Sequence, residues 1–446
     1  MDHAEISVVM PVYNAEEYLR EALDCVLDQD FTAYKLYCVD DASGDGSYEI
    51  LQEYEKKDER IQVFRNERRM GAAYSRNFIL KMIDTKYVKF ADADDLMERN
   101  LFSQLYDAAT KFHADIAYCE WSVFEGDVGN GIIFSRYPES EQEREQERNP
   151  HQLKDLPLEN ALKITNAPWA FLMKMAFLKE ENLQFQSLST RNDVYFLEMA
   201  KMLAKKMVHT SSFQPLVHQR EHRSASRIAN NPQPMNLFYA YLEVKKGMER
   251  KGIWEKYERY FIVQGLRLMR YQIASVIRPQ QREPFLKFLR KEGLKQLGIC
   301  KEALTGRNHV SDDIFYLYEC MQNGTATDFS IPRRAFREVL LENCERIREL
   351  FSSWKGKKVA FWGMGRRMQA VWELFEADMD FIVTFIDTRK AGDYFLGREI
   401  MSYSQTANDN DMLVILNSMY REEILDEISK HQGKERIFDL DKYLAD

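Results

Sequence analysis

The chain has 446 residues, too many for one typical core, so two or three folded units are expected. Hydrophobic residues make up 45% and charged residues 30%, an ordinary globular composition that excludes a disordered chain. A net charge of −9 gives no general basic field for a polyanion, so nucleic acid is not the expected partner.

The N-terminus runs directly into the strand-like Ile6-Ser7-Val8-Val9-Met10, with no basic segment followed by an apolar leader, and the expectation is a cytoplasmic protein. No run of 18 apolar residues occurs, so the expectation is also a chain that does not cross a membrane, with peripheral contact at the inner membrane face left open. Four strands are predicted at Ile6 to Val12, Tyr34 to Val39, Ile61 to Phe64 and Tyr87 to Phe90, separated by helices near 15–28, 47–57 and 72–83. This alternation predicts an α/β fold with a mostly parallel sheet. Asn14 with Glu17 three residues on reads as a capping box for the first helix, and Ser47 as the cap of the second. The run Ile116 to Phe124 reads as a fifth strand.

Residues 138–155 are rich in Glu, Gln and Arg and read as an exposed loop or flap. From 232 to 350 the apolar positions recur at helical spacing, as in Phe238-Tyr239-Tyr241-Leu242. A new β-start at Lys358 to Trp362, with further strands at Phe381 to Ile386 and Met412 to Leu416, predicts a small C-terminal α/β domain. The expected organisation is a catalytic domain at 1–228, a helical region at 229–354 and a Rossmann-like domain at 355–446. The six cysteines show no Cys-x-x-Cys spacing and read as reduced thiols, neither a zinc site nor a disulfide framework.

In an open α/β sheet, ligands bind outside the carboxyl ends of the strands. Those ends carry Tyr13 and Asn14, Asp40 and Asp41, Arg65 and Asn66, and Asp92, Asp94 and Asp95. Asp92-Ala93-Asp94-Asp95 admits two readings. One is a solvated turn that caps the next helix. The other is an oxygen-only site for Mg²⁺ or Mn²⁺, favoured because like charges packed at a strand end call for a cation. The Asp40 to Ser47 segment likewise reads as a turn, or as a carboxylate placed to accept hydrogen bonds from a ribose or a base.

Four segments taken together, Pro11-Val12-Tyr13-Asn14, Val39-Asp40-Asp41-Ala42-Ser43-Gly44-Asp45-Gly46-Ser47, Gly71-Ala72-Ala73-Tyr74-Ser75-Arg76-Asn77 and Asp92-Ala93-Asp94-Asp95, resemble in order and spacing the family 2 glycosyltransferases of GT-A fold. The resemblance covers about residues 4–228. It implies that Pro11, Tyr13, Asn14, Asp41 and Ala93 contribute to donor binding, that Asp92 lies beside the ribose and metal, and that Asp94 ligates Mg²⁺ or Mn²⁺. It points Arg76 toward the nucleotide, with an ion pair to the aspartate cluster or Asp41 as the structural alternative. It implies Asp193 as catalytic base, in a segment where Asn192 replaces the usual Glu; the alternative for Asp193 is a helix N-cap. The Val217 to Ser226 segment resembles the strand and loop that close such sites, with Arg and Ser near the diphosphate, while His218 and His222 read as structural groups.

The implied activity is inverting transfer of one sugar from a nucleotide-sugar, by default a UDP-sugar, to a glycan or lipid-linked acceptor in envelope or capsule polysaccharide assembly. A homo-oligomer is compatible with all of this. Lys358 to Met368 opens like a dinucleotide fingerprint, Gly363-Met364-Gly365, with Asp387 where a ribose-binding acid belongs and Met368 in place of the third glycine. Two rival readings follow: a transferase-like scaffold without turnover, and an oxidoreductase working through the C-terminal domain.

Overall fold

The computed structural model describes residues 4–124, 132–135, 141–212, 214–220, 233–306 and 308–324, and beyond 339 the segments 343–362, 371–372, 374–386, 394–395, 398–402, 412–416 and 437–440 with Leu340, Gln405 and Tyr443. The chain divides into two compact units, residues 1–272 with 292–310, and residues 273–291 with 311–446.

The first unit begins as the periodicity predicts. Strand β1 (Ile6–Val12) is followed by α1 (Leu19–Leu27), β2 (Tyr34–Asp40), α2 (Ser47–Lys57), β3 (Ile61–Arg65), α3 (Ala72–Leu80) and β4 (Tyr87–Phe90). Next come β5 (Leu96–Met97), α4 (Leu101–Phe112), β6 (Ile116–Tyr118), β7 (Glu120–Phe124), β8 (Ile132–Ser135), α5 (Glu141–Arg148) and α6 (Leu158–Lys163). The unit continues through β9 (Phe171–Lys174), α7 (Met175–Glu181), α8 (Val194–Leu203), β10 (Met207–His209), β11 (Pro215–Arg220), α9 (Asn236–Arg250) and α10 (Trp254–Tyr271).

Seven strands form the main sheet in the order β10-β6-β9-β4-β1-β2-β3. All pairs are parallel except those made by β9, which runs against β4 and β6. A second sheet has the order β5-β11-β7-β8. Strand β1 is buried on both faces from Ile6 to Met10, as a parallel strand between helical layers must be. Helix α1 covers the sheet with Leu19, Ala22, Leu23 and Val26, the i, i+3, i+4, i+7 stripe of an amphipathic helix.

Four local expectations are corrected. Asn14 does not cap α1, which starts at Leu19; Asn14 has φ 47°, donates its N–H to Ser43 Oγ and accepts from Gly44 N–H through Oδ1. Ser47 is the first helical residue of α2, and its hydroxyl accepts from Ala15 N–H at 2.8 Å. In both cases a bond between two loops replaces the local cap. Residues 116–124 form two strands, not one, because the chain leaves the main sheet at Cys119 and enters the second sheet as β7. The polar segment at 138–155 is not an open flap: α5 and a 3-10 turn at Leu153–Asp155 occupy 141–155, and Glu147, His151 and Leu153 are buried. Glu147 and the His151 imidazole find partners inside, a possibility that composition alone does not reveal. Residues 136–140 lie outside the described residues.

Helices α9 and α10 add the aromatic layer predicted after 232; Tyr241 stacks on Phe261 with ring centroids 4.4 Å apart. Helix α10 is tied to α8 by a buried polar network. Lys201 Nζ reaches Asn166 Oδ1 at 2.6 Å, Glu198 Oε1 at 3.4 Å and Tyr260 Oη at 3.1 Å, and the Tyr260 hydroxyl donates to Glu198 Oε2 at 2.9 Å. Each charge in it is paired, the condition for burying such groups at tolerable cost.

The second unit holds helices α11 (Pro279–Phe288), α14 (Asp312–Asn323) and α15 (Cys344–Ser352); the short α12 (Leu294–Leu297) and α13 (Lys301–Thr305) belong to the first. Its sheet comprises β12 (Lys358–Trp362), β13 (Ile382–Ile386), β14 (Tyr394–Phe395), β15 (Arg398–Met401), β16 (Met412–Leu416) and β17 (Ile437–Asp439) in the order β14-β15-β13-β12-β16-β17, parallel except at β14. Phe351, Trp354, Phe361, Phe375 and Phe385 fill its core. Gly363, Met364, Gly365, Met368 and Asp387 lie outside the described residues.

Candidate active site

The loops that follow β1, β2, β3 and β4 meet at the carboxyl rim of the main sheet, and bonds between them shape the site. Beyond the Asn14 and Ser47 links, Glu16 N–H donates to Asp45 Oδ2 and Gly46 N–H to Glu16 Oε2. Ala42 sits at φ 58°, a region costly for a residue with a Cβ and held here by its surroundings. Asp40, fully buried, accepts from Ser43 N–H and pairs with Arg65 Nε at 3.1 Å.

Asp41 is the hub of the next loop. Its Oδ1 accepts from Asn66 Nδ2 and Met70 N–H, and its Oδ2 from Gly71 N–H, each at 2.7 Å. Gly71, at φ 88°, precedes α3 in a conformation that favours glycine. The loop so held carries Arg69, whose guanidinium lies 4.1 Å from the centroid of the exposed Tyr13 ring. Pro11 pairs with Val39 one step below that ring, and Ala93 is buried beneath the rim.

Helix α3 fastens the site through three successive side chains. Ser75 Oγ accepts from Asn66 Nδ2 at 3.2 Å. Arg76 donates from Nη2 to Asp92 Oδ1 at 2.8 Å. Asn77 donates to Phe185 O and accepts from Phe185 N–H. Phe185 in turn stacks on Phe196 at 4.1 Å and meets Phe90 edge-on at 5.1 Å, so an aromatic wall backs the arginine.

The three aspartates after β4 take three directions. Asp92 turns to Arg76 and keeps 34% of its side-chain surface open to the cleft. Burial among protein groups raises its pKa, the Arg76 charge opposes this, and Asp94 adds to the rise. Asp95 is buried and accepts from Arg220 N–H at 3.1 Å; burial and the two neighbouring carboxylates hold its pKa well above the usual range. Arg220 Nε also donates to the Asp94 carbonyl at 3.2 Å, and Asp94 is half-buried at the rim. Arg220 Nη2 reaches Glu21 at 2.5 Å, and its guanidinium lies 4.7 Å from the rings of both Tyr18 and Phe124.

Asp193 stands just before α8 and makes no side-chain capping bond to that helix. Burial raises its pKa, while the charges of Arg76 and Arg191 pull it down and Asp92 pushes it up. Phe196 of α8 stacks on Phe185, and the Arg76 guanidinium lies 5.3 Å from the Phe185 ring centroid, so the start of α8, with Asp193, stands beside the aspartate cluster. Arg191, at φ 58°, extends Nη2 to Gln272 Oε1 at 3.4 Å.

The structure thus brings Tyr13, Arg76, Asp92, Asp94 and Asp193 to one rim, ties Asn14 and Asp41 into loop-holding bonds, and gives Arg76 the ion pair with the aspartate cluster. His218 is buried between Ser122 Oγ at 2.7 Å and Glu98 Oε1 at 2.9 Å, in keeping with a structural role. Residues 221–232, including His222 and Ser226, lie outside the described residues. Sequence reasoning missed Lys89, fully buried on β4 with Nζ bonded to the carbonyls of Phe90 and Trp169. Burial lowers its pKa to about 8, against the pull of Cys119, Asp92 and Asp95. A lysine between Val88 and Phe90 in a central strand was the available signal.

A seven-stranded, mostly parallel α/β sheet with an Asp-x-Asp turn at its carboxyl rim defines a glycosyltransferase domain of GT-A fold. Residues 7–179 match the model of Glycosyl transferase family 2 and form a domain of that family. Glycosyltransferase GlyG of Streptococcus pneumoniae serotype 4 is 31% identical over 129 residues, 29% of this chain and 43% of that protein. Poly(ribitol-phosphate) beta-glucosyltransferase of Bacillus spizizenii is 28% identical over 246 residues, 54% of this chain and 36% of that protein. The chain thus spans less than two thirds of the length of these curated relatives. The crystal structure of S. aureus TarS 1-349 in complex with UDP has a similar fold, with TM-score 0.52 at 18% identity over 71% of this chain and 90% of that one. Among the described residues no helix is long and apolar enough to cross a membrane.

Proposed function

We propose that the chain is an inverting, metal-dependent glycosyltransferase that moves one sugar from a UDP-sugar to a hydroxyl of a glycan or lipid-linked acceptor in cell-envelope polysaccharide synthesis. The observation that carries this reading is the meeting, on the rim of a family 2 domain, of an arginine-paired Asp92, the rim carboxylate Asp94 and an uncapped Asp193 of raised basicity. The names of the relatives support the polymer class, since one acts on poly(ribitol-phosphate). The UDP in the TarS crystal supports the nucleotide.

In this reading Tyr13 provides a stacking face for the base, Pro11 and Asn14 shape its pocket, and Asp41 acts by holding the 66–71 loop against it. Ala93 lets the diphosphate approach the backbone. The donor set fits a hard cation, because Asp94 and Asp92 offer only carboxylate oxygens and Mg²⁺ or Mn²⁺ takes one or two of these plus substrate phosphates. A bound ion would supply charge neutralisation for the leaving diphosphate. Arg76 keeps Asp92 ionised and oriented.

Asp193 accepts the proton of the acceptor hydroxyl as its oxygen forms a bond to the anomeric carbon, and the bond from that carbon to the diphosphate breaks, releasing the nucleoside diphosphate. One displacement inverts the anomeric centre. A carboxyl whose pKa is raised by burial is a stronger base than a free aspartate and needs no other activation. The test is UDP release from a panel of UDP-sugars with Mn²⁺ and a poly(ribitol-phosphate) or lipid-linked acceptor. The reading expects acceptor-stimulated release and an inverted product linkage, whereas nucleotide binding without release would leave a scaffold.

A further inference from the structure

The loop that leads to Asp193 is held by residues from later in the chain. Gln186 N–H donates to Asn192 O at 3.0 Å and Asn192 Nδ2 to Leu188 O at 3.3 Å, which closes residues 186–192 on themselves. Asn236, buried at the start of α9, donates from Nδ2 to Ser189 Oγ at 3.0 Å and to Thr190 Oγ1 at 3.1 Å. Gln272, fully buried just beyond α10, donates from Nε2 to Pro234 O at 3.1 Å, and its Oε1 accepts from Arg191 Nη2 at 3.4 Å. The Arg191 guanidinium also lies 5.7 Å from the ring centroid of Tyr271, the last residue of α10, which is 47% exposed.

Two features set Arg191 apart from an ordinary surface arginine. Its backbone stands at φ 58°, a region costly for a residue with a Cβ, which persists at functional sites where neighbouring bonds hold it. Among the described residues, a neutral amide and a ring orient its side chain, not a carboxylate. An amide fixes direction without neutralising charge, so the planar guanidinium keeps its charge and an N–H edge for an anion. That charge does not serve the base: it lowers the pKa of Asp193 and so weakens that carboxylate's pull on a proton. The half-exposed Tyr271 ring adds an amphipathic face suited to the C–H groups and hydroxyls of a sugar or polyol. Arg191 precedes Asp193 by two residues, at most about 7 Å of backbone, which sets it beside the hydroxyl to be deprotonated.

We propose that Arg191, presented by Gln272 and Tyr271, binds a phosphate group of the acceptor, while Tyr271 packs against the sugar or polyol that carries the attacking hydroxyl. This rests on the transferase reading with Asp193 as base, and it narrows the acceptor to one that carries phosphate. A polyol-phosphate chain and a sugar on a lipid diphosphate share that chemistry. Gln272 and Asn236 act through the loop, as positioning residues.

The test is calorimetric binding of three probes to the full chain without donor: a polyol-phosphate oligomer, a disaccharide on a short polyprenyl diphosphate, and a phosphate-free oligosaccharide. The wild type should bind one of the first two, which names the source of the phosphate, and Arg191→Gly should weaken that binding roughly 10- to 100-fold. Glycine accepts the left-handed backbone, so this variant should keep a Tm near that of the wild type, where a merely structural arginine would lower it. Arg191→Lys keeps the charge without the fork and should retain part of the binding; it also carries the test if the glycine variant does not fold. The thermal shift with UDP and Mn²⁺ should be the same in all three proteins. No binding of either phosphate probe, or unchanged affinity in the variants, would overturn the proposal. So would loss of the UDP shift in Arg191→Gly, which would assign the guanidinium to the donor. Absence of a UDP shift in the wild type would count against the transferase reading and leave the binding comparison intact.

Discussion

The first unit holds two acidic groupings that solve the same problem in opposite ways. At the donor rim, Asp92 and Asp95 are met by Arg76 and Arg220, and the cleft stays open to Asp92 and Asp94. At the α5 edge, Glu120 and Glu147 are closed from solvent; His209 Nε2 lies against Glu120, and the Tyr118 hydroxyl donates to Glu147. Like-charged carboxylates persist in a fold only beside a compensating charge. Fixed guanidinium groups leave a site ready for a ligand that comes and goes.

The sharpest break in this comparison is Asp193→Asn, which removes the proposed base without disturbing the compensated cluster. Transfer should fall by roughly 100- to 10,000-fold, with the thermal shift produced by UDP unchanged. A pH profile sharpens the same point. Asp193 must be ionised to accept a proton, and burial raises its pKa, so kcat/KM should fall on acidification with a midpoint above that of a free aspartate. Arg76→Met tests the guanidinium compensation directly. It leaves Asp92 unpaired in the cleft floor and should cost about 2 to 3 kcal/mol of stability in chemical denaturation, less than a sealed pair because Asp92 is partly open.

Asp41→Asn is next in size. An amide cannot accept three hydrogen bonds in the same places, so at least the Gly71 N–H loses its acceptor, costing about 1 kcal/mol and raising the KM for donor. Lys89→Met is expected to have the smallest effect and an opposite sign. The folded pKa of Lys89 lies near 8, below that of the unfolded chain, so the unfolded state binds more protons between about 8 and 10.5. Wild-type stability should therefore rise with pH across that window, and the variant should lose the rise and show an equal or higher Tm at pH 7.

The order of strands and helices up to β4 was legible because a parallel sheet between helical layers writes long apolar runs and amphipathic stripes into the chain. The rim residues were legible for the same reason, since the strand ends locate them. What could not be read was which partner each polar side chain takes. Asn14 and Ser47 have the composition of caps, yet each bonds to a loop roughly 30 residues away. Asp41 has the position of a ligand residue and also takes three hydrogen bonds from its own chain. Glu147 and His151 sit in a segment whose composition predicts exposure, and only contact with β10 and Tyr118 makes them interior. Local pattern carries periodicity; it does not carry the pairing of distant polar groups.

Thermal unfolding of the wild type and of Asp94→Ala with UDP, GDP, CDP or NAD, each with and without Mn²⁺, probes the donor site itself. A ligand at 100 times its Kd stabilises the folded state by about 2.7 kcal/mol. The predicted result is a Mn²⁺-dependent shift with UDP that Asp94→Ala abolishes. Absence of a shift with every nucleoside diphosphate, beside a clear shift with NAD, would contradict the donor site and place the nucleotide in the C-terminal unit.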